Sequence, residues 1–274
     1  MTAQGTAPYV FWIESCEVSR IAEKEVTEMS STVIEVLKSH RSIRKFKQTP
    51  VDEQLLRDII CCGQCASTSS NLQATTVIRV RNGDTRKKIG VLAGDQAYVE
   101  SAAVFLVFCA DLNRAGQACK AQGGVFEPGM TEQFIIATVD AALFAQNCAV
   151  AAESKGLGIC YIGGIRNDPE QVSQLLELPD QVYPVFGFCM GYPDQDPERK
   201  PRLPLEVILK EEIYSQSGDK ALIESYDEQM SQYYRSRTNG GKESSWTLEM
   251  KALVGKESRP HMQAFLKSRG FNYR

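Results

Sequence analysis

Histidine and tryptophan are the scarcest residues of this 274-residue sequence, with two of each. The histidines, His40 and His261, lie far apart, and neither accompanies a serine or cysteine in a triad-like pattern. A hydrolase built on a nucleophile and a histidine base is therefore disfavoured. Zinc sites take four ligands, mostly Cys or His, and the single Cys62-x-x-Cys65 motif has no second pair. We predict that the protein holds no metal and that these two cysteines are buried helix residues.

Long apolar runs are also missing, since no stretch approaches the ~18–20 residues of a membrane helix. The start, Met1 to Glu14, lacks the basic region and the small-residue cleavage site of a signal peptide. The nine cysteines are an odd number placed among apolar neighbours, which is typical of reduced core thiols. These features predict a cytoplasmic protein without membrane contact.

Two nucleotide-binding motifs are absent as well. A dinucleotide-binding fold needs G-x-G-x-x-G between a strand and a helix, but Tyr161 stands where Gly156-x-Gly158 requires its third glycine. No G-x-x-x-x-G-K-[ST] occurs, so a triphosphate-binding loop is excluded. A nucleic-acid binder is the rival class for the basic residues described next. The net charge of −3 and the lack of aromatic residues among them oppose it, so we expect no nucleic-acid partner.

The most distinctive stretch runs from His40 to Lys47, where five of eight residues are or can become cationic. One interpretation is a solvated helix end, because lysine and arginine are favoured in the last turn of a helix. The other is an anion clamp, because a serine hydroxyl and two planar guanidinium groups suit phosphate oxygens. The stretch alone leaves both interpretations open.

Periodicity and cap residues predict an α+β chain. The predicted helices are a short one after the Thr32–Glu35 capping box, one capped by Asp52, 85–93, 96–102, 131–154, one opened by Asp168 and Pro169, and two or three that close the chain. The predicted strands are 75–80, 104–108, 159–162 and 182–190. We expect an Asn82-Gly83 turn after the first strand and a loop over 115–130. Residues 1–30 show no clear period and are expected to be a flexible extension.

The helix predicted over 131–154 carries a stripe rich in alanine. Small side chains let a second helix approach closely, so the stripe fits packing between subunits. It fits a central core helix equally well, and the sequence does not decide between the two.

Four pieces of the sequence share a chemical theme. They are the basic stretch 40–47, the hydroxyl-rich loop 67–71, the strand ending in Gly163-Gly164, and a second basic segment, 200–204, that two prolines keep extended. Together they suit a phosphorylated, flat ligand rich in amide groups. Its phosphate would lie between the basic segments and its ring against exposed glycine backbone.

Seven motifs follow one another in the order H-R-S-I-R, S-T-S-S-x-L-Q, A-G-D-Q, A-A-E-S-x-G-L-G, Y-I-G-G-I-R-N, K-P-R-L-P and K-E-S-R-P. In this order they resemble the FMN-dependent nitroreductase family. The branch they resemble is that of the oxygen-insensitive NADPH nitroreductases and NADPH–flavin oxidoreductases. The resemblance runs from Ser31 to Arg274.

The resemblance implies a single α+β domain over residues 31–274, with a mostly antiparallel central sheet wrapped by helices, and an intertwined homodimer. A C-terminal segment, about 205–274, is expected to embrace the partner subunit, with FMN at the interface. The implied reaction is a ping-pong two-electron (hydride) transfer. NADPH reduces FMN and leaves, and a nitroaromatic, a quinone or free flavin then accepts the electrons.

The resemblance also assigns residues to the cofactor. Arg41, Ser42, Lys200 and Arg202 are expected to hold the FMN phosphate, beside His40. The residues expected along the ribityl chain and ring are Thr68, Ser69, Ser70, Gln73, Gln96, Tyr161, Ile162, Gly163 and Gly164. No side chain is expected to act as a catalytic acid or base. Arg44 and Gly163 are expected to tune the ring, Arg44 because a fixed cation favours the negative charge that gathers near N1 and O2 on reduction.

The positions expected to face NADPH or the acceptor are Asn71, Arg237, Lys242, Lys256, Ser258 and Arg259. Asn71 replaces an aromatic residue of some relatives, so the preferred acceptor stays open. Arg237 is alternatively a solvated side chain of a Gly/Asn-rich loop. Two other functions stay open: a flavin reductase that supplies a partner monooxygenase, and an FMN-binding protein without enzymatic activity.

Overall fold

The structure, a computed structural model, describes residues 32–271. The chain divides after Lys38 into two units, and the second, Ser39–Arg274, carries the sheet and the site. In the first unit the described residues are helical, in α1 (32–39), as predicted. The extension predicted over 1–30 lies outside the described residues. The assignment of 31–274 to one domain stays a prediction.

An antiparallel sheet of four strands, in the order β1-β2-β4-β3, forms the centre of the fold. The strands are β1 (Thr75–Arg79), β2 (Val104–Asp111), β3 (Gly158–Ile162) and β4 (Val182–Gly191). Every residue of β2 is buried, as its continuous apolar sequence predicts for a central strand. The α+β class and all four predicted strands are therefore confirmed.

Helices make up the rest of the regular structure. Their bounds are α2 (Glu53–Gln64), α3 (Gly83–Leu92), α4 (Tyr98–Ser101), α5 (Asn113–Ala121), α6 (Thr131–Ser154), α7 (Pro169–Leu175), α8 (Leu205–Ile208), α9 (Asp219–Arg237), α10 (Trp246–Val254) and α11 (Met262–Ser268). Of these, α6 and α7 contact the sheet. The caps predicted from sequence are present, because Asp52 accepts hydrogen bonds from the Gln54 and Leu55 amides and Asp168 from that of Gln171.

The longest helix, α6, packs against α2 and the sheet. Its alanines 137, 141, 145, 149 and 152 are buried, so the alanine stripe faces the core of its own chain. Among the described helices, α6 alone is long and apolar enough, by length and composition, to cross a membrane. One third of its most apolar stretch is buried within the chain. The opposite face of α6 exposes larger apolar side chains, which are considered below.

Two local predictions are wrong. Of the loop expected over 115–130, residues 115–121 belong to α5, because the sequence there supplies good helix formers and its glycine pair comes only afterwards. The remainder, 122–130, is a loop as predicted. Gly123, with φ of +76°, follows the end of this helix. The expected Asn82-Gly83 turn is instead the start of α3, where the Asn82 side chain accepts a hydrogen bond from the Thr85 amide at 2.9 Å.

The prediction that Cys62 and Cys65 are buried is also wrong, since both are exposed. The buried stripe of α2 consists of Leu56, Ile59 and Gly63, at helical spacing. The two cysteines lie off that stripe. No group of three or more potential metal ligands occurs among residues 32–271.

The sheet positions the basic stretch. Ser42 forms an isolated parallel bridge with Ile159 of β3, and the Ile43 amide donates to the Ile159 carbonyl at 2.8 Å. A Cβ on Gly158 would lie 2.5 Å from Ile43 Cγ1, so only glycine permits this close approach. The stretch 40–47 therefore lies beside the strand that leads into Gly163-Gly164.

Candidate active site

Both predicted basic segments line one small cavity of about 150 Å³. Its lining residues are His40, Arg41, Ser42, Arg44, Gln195, Pro197, Glu198, Lys200, Arg202, Tyr233 and Arg237. Glu198 is the one acidic residue in this set. Five arginine and lysine side chains around so little space repel one another, and a bound anion relieves that repulsion. The structure thus favours the anion clamp over a solvated helix end.

Neighbouring groups hold the cations in place. Arg41 forms an ion pair with Asp196, and Arg202 Nη1 donates to the Lys200 carbonyl at 2.9 Å. The Arg237 guanidinium carbon lies 6.0 Å from the centre of the Tyr233 ring, and Nη1 donates to the Tyr233 hydroxyl. Because these contacts already restrict the side chains, less conformational entropy is lost when an anion binds.

A hydrogen-bonded chain links the clamp to the glycine pair. Arg44 lies beside the Tyr98 hydroxyl, and Tyr98 donates to Gln96 Oε1 at 2.7 Å. Burial raises the pKa of Tyr98, an effect that the nearby Arg44 charge partly opposes. Gln96 in turn donates to the Ala93 carbonyl, which lies 2.2 Å from where a Cβ on Gly164 would be. The residues predicted for the two edges of a flat ring, Arg44 with Gln96 and Gly163 with Gly164, are therefore close together.

The 3₁₀ turn Gly163–Asn167 carries a further cation. A Cβ on Gly163 would meet the Arg166 guanidinium at 3.3 Å, so Arg166 packs directly against the glycine backbone. Burial lowers the pKa of Arg166, and the charge of Arg259 adds to this effect. Arg259 Nε donates to Asn167 Oδ1 at 3.0 Å. The predicted K-E-S-R-P segment therefore meets this turn through Arg259.

The hydroxyl-rich loop has an unusual backbone. Ser70, Asn71 and Gln73 all have positive φ, between 49° and 56°. Such clustered strain persists only where surrounding contacts impose it. Asp140 of α6 supplies them: its carboxylate accepts from the Ser69 amide at 3.3 Å and from the Ala74 amide at 3.0 Å. Asp140 is 2% exposed, so both ends of the loop are fixed by a buried carboxylate.

Within a single chain, this loop does not line the anion cavity. Thr68 and Gln73 line a separate cavity of about 80 Å³, with Gly63, Arg114 and Phe144 among its other walls. Tyr161 points into the core instead, where its ring packs edge-on against Phe186 and Phe188.

The substrate-side residues are dispersed in the same way. Lys242 Nζ is 2.8 Å from Glu249 Oε1, and that hydrogen bond raises the pKa of Lys242. Lys242 does not line the anion cavity, whereas Arg237 does. Lys256 and Ser258 are exposed. The roles predicted for all these residues stay predictions. The structure divides the residues into two groups, those that line the anion cavity and those that lie away from it.

Four residues of the site were missed from sequence: Tyr98, Asp140, Arg166, and Glu153, whose Oε1 lies 2.6 Å from His40 Nδ1. Asp140 had a readable signal, because it is the one charge between the two ends of an apolar helix. Glu153 and Arg166 belong to motifs that carry the family resemblance, but the resemblance assigned no role to either residue. Tyr98 had no signal, since its role comes from contacts on both sides that only folding creates.

The residues present fit a cofactor with a phosphate and a planar ring: cations and a serine hydroxyl meet at one cavity, and a cation, an amide and a glycine pair adjoin it. These features define an α+β protein whose cavity is lined by residues suited to a phosphorylated, flat ligand.

Comparisons with known proteins agree. The model of the nitroreductase family matches residues 37–192, and that of the family's C-terminal domain matches 200–274. The chain belongs to the nitroreductase family.

Known relatives resemble the chain over nearly their whole length. An NADPH-flavin oxidoreductase of Vibrio harveyi is 45% identical over 240 residues, which cover 88% of this chain and 98% of the relative. An oxygen-insensitive NADPH nitroreductase of Salmonella typhimurium is 41% identical over 241 residues, with the same coverage. The solved NADPH:FMN oxidoreductase of Vibrio harveyi in complex with NAD+ superposes with a TM-score of 0.81 at 42% identity, covering 89% of this chain and all of that one. The family predicted from the motifs is confirmed.

Replacing the buried carboxylate tests how the loop is held. Asp140→Asn keeps the shape but loses the charge that accepts two backbone amides, so we expect it to lower the free energy of unfolding by about 1.5–3 kcal/mol. Denaturant unfolding measures this. Asp58→Asn is the matched control, because Asp58 is exposed and accepts from the Gln54 side chain. Equal losses in both variants would contradict the role given to Asp140.

Proposed function

We propose that the protein is an FMN-dependent NAD(P)H oxidoreductase that passes two electrons from NADPH to nitroaromatics, quinones or free flavin. Relatives named NADPH-flavin oxidoreductase, FMN reductase (NADPH) and oxygen-insensitive NADPH nitroreductase support FMN as cofactor and NADPH as reductant. The observation that carries the proposal is the convergence of Arg41, Lys200 and Arg202 on one cavity. That cavity suits the terminal phosphate of FMN.

The residues of the chain bind and orient the cofactor, which when bound supplies the two-electron chemistry. Arg41, Ser42, Lys200 and Arg202 hold the phosphate through charge-assisted hydrogen bonds. Arg44, oriented beside Tyr98, would place a fixed positive charge where it favours negative charge on the bound ring. Gly163 and Gly164 let the backbone approach the ring without an intervening side chain.

An absorption spectrum of the pure protein, before and after anaerobic addition of NADPH, tests the function. We expect a yellow protein that NADPH bleaches and that nitroaromatics, quinones or free flavin reoxidise. A colourless protein that does not take up FMN would refute the proposal. A yellow protein that NADPH does not bleach would indicate the alternative of a non-enzymatic FMN-binding protein.

The phosphate clamp yields a quantitative prediction. Loss of one charge-assisted contact costs about 1.5–3 kcal/mol, so Arg202→Ala should weaken FMN binding by roughly 10–150-fold. Fluorescence titration of the apoprotein with FMN measures this. Arg199→Ala is the control, because Arg199 immediately precedes the segment 200–204 but does not line the cavity. If Arg202→Ala protein keeps stoichiometric FMN through dilution and gel filtration, the clamp is assigned wrongly.

We infer that the enzyme is a homodimer whose site is completed across the interface. Exposed apolar side chains recur at i, i+4 and i+8 on α6, where Ile135, Val139 and Leu143 are 48%, 48% and 43% exposed. A second exposed apolar group comes from residues 205–214. Such surfaces mark protein–protein contacts. A second copy could also bring its 68–73 loop to the anion cavity, from which this loop is separate in one chain.

Light scattering tests the dimer. We expect a mass of about twice the 30.4 kDa of the chain, and a smaller mass with low FMN content for Val139→Glu, because a buried unpaired charge opposes association. Val91→Glu adds the same charge to another exposed valine, on α3, and should remain dimeric. A fully flavinated wild-type monomer would exclude the interface.

Arg237 is the residue that we propose for discrimination of NADPH from NADH, which lacks the 2′-phosphate. Its contact is exposed and screened, so Arg237→Ala should lower the kcat/KM for NADPH by roughly 5–30-fold, equivalent to ~1–2 kcal/mol. NADH turnover should change little. Steady-state kinetics with both nucleotides, at saturating FMN and at two salt concentrations, measures this.

Lys242→Ala provides the comparison, and its effect should be smaller because Glu249 already pairs with Lys242. Equal losses for NADPH and NADH in Arg237→Ala would show that Arg237 shapes the cavity and does not recognise the 2′-phosphate.

We also infer a cytoplasmic location. Cys109, Cys148 and Cys189 are buried, and burial raises the pKa of Cys148 to about 12. Such thiols are protonated and inert, which suits a reducing compartment.

A further inference from the structure

A groove of about 800 Å³ lies between α3 and α7, and none of its lining residues lines the anion cavity. One wall is the face of α3 from Asp84 to Leu92, and the other is the face of α7 from Gln171 to Leu175. On each helix the lining residues recur at a spacing of three or four, so each wall is a single helix face. The volume is in the range of about 300–1,000 Å³ that is usual for sites of small organic ligands.

The α3 wall changes from cationic to apolar along its length. Lys87 and Lys88 are followed one turn later by Val91 and Leu92, which the helix places ~6 Å further along its axis. Val91 is 57% exposed, and Leu92 packs against the same core cluster as Leu175 of the opposite wall. The groove therefore has a cationic end and an apolar end.

The cationic end carries an uncompensated positive charge. Both lysines are exposed, and neither forms an ion pair with a described residue. Asp84, the one acidic residue of the lining, lies in the first turn of α3, where the helix dipole favours a negative charge. Gln171 and Gln174 of the other wall are uncharged. Two lysines and one aspartate give the lining a net charge of +1, which matches a singly charged anion.

Both walls of the groove lead to the glycine turn of the candidate active site. Helix α3 ends at Leu92, directly before Ala93, and α7 begins at Pro169, shortly after the turn Gly163–Asn167. A side chain on Gly164 would collide with the Ala93 carbonyl oxygen, so only glycine permits this contact. A ligand that shifts α3 relative to α7 would therefore disturb the turn.

We propose that the groove between α3 and α7 binds an amphipathic carboxylate of the fatty-acid type. Its carboxylate lies at the two lysines, and its hydrocarbon chain lies on the apolar end. Binding changes the affinity of the candidate active site for FMN through the contact of Ala93 with Gly164. This second part alone rests on the proposed function, since it takes FMN as the cofactor.

Sodium decanoate, kept below its micelle concentration, is the probe for the site. Isothermal titration calorimetry of the FMN-loaded protein should show one decanoate per chain. Decyltrimethylammonium has the same chain with the opposite charge, so the net positive charge of the lining should make it bind more weakly. Equal binding of the two probes, or no binding of decanoate, would overturn the site.

Substitution of the lysines tests the cationic end. The double variant Lys87→Gln and Lys88→Gln should weaken decanoate binding about 3–30-fold at low salt, the range for two exposed ion pairs. The double variant Lys120→Gln and Lys267→Gln is the matched control, because it removes the same charge outside the groove. It should bind decanoate as the wild type does. Equal weakening in both double variants would show a general charge effect and contradict the site.

Val91→Glu tests the apolar end, because it places a carboxylate where the hydrocarbon chain would lie. It should abolish decanoate binding. Val125→Glu adds the same charge to another exposed valine, outside the groove, and should leave binding unchanged. Undiminished binding by Val91→Glu would overturn the proposal. A smaller mass of Val91→Glu in light scattering would also overturn it, since the groove would then be a contact between copies of the chain.

Fluorescence titration of the apoprotein with FMN, with and without saturating decanoate, tests the coupling. The affinity for FMN should change about fivefold or more, and by linkage FMN should change the affinity for decanoate by the same factor. Val91→Glu should remove the effect. Equal FMN affinities would overturn the coupling. A wild type that binds decanoate but not FMN would refute only the proposed function, and one that binds FMN but not decanoate would refute only the site.

Discussion

Repulsion among like charges is the constraint on which the site depends. Arg41, Arg44, Lys200, Arg202 and Arg237 surround a cavity of about 150 Å³ in a chain whose net charge is negative. The fold opposes this repulsion with carboxylates at the edges of the group and with tyrosine rings beneath it. An anion completes the balance, and a phosphate provides two charges and several acceptor oxygens. In the function proposed above, a cofactor attached through its phosphate would have its ring at the adjoining glycine turn.

Helix α6 serves both halves of the site. Its buried face packs on the sheet, and Asp140 on that face holds the strained loop 69–74 by its backbone amides. Between three and four turns further along, Glu153 reaches His40 at the basic stretch. The exposed face carries Ile135, Val139 and Leu143. One helix therefore combines core packing, loop support and an apolar outer surface, and a shift of α6 would disturb all three.

Prediction from sequence was most successful where local pattern and burial agree. The apolar runs of β2 and β4 could only be buried strands, and the caps Asp52 and Asp168 fix where α2 and α7 begin. It was least successful where glycine dominated the interpretation. The glycine-rich sequence predicts a loop over 115–130, but only its part from Gln122 onward is a loop, and Asn82-Gly83 begins α3 where a turn is predicted. Glycine and asparagine are favoured in turns and also at the ends of helices. Asparagine caps a helix through its side-chain oxygen, and glycine adopts the left-handed backbone that commonly follows a helix.

The sequence by itself determined the family and the four strands. Ordered motifs and apolar runs are local features, so they can be recognised without knowing the tertiary contacts. Only the tertiary structure decided which charges act together. Arg237 joins the anion cavity whereas Lys242, five residues later, pairs with Glu249. Glu153 meets His40, and Tyr98 links Arg44 to Gln96. Contacts of this kind depend on how elements far apart in the chain pack together, and periodicity along one element carries no information about its distant partners.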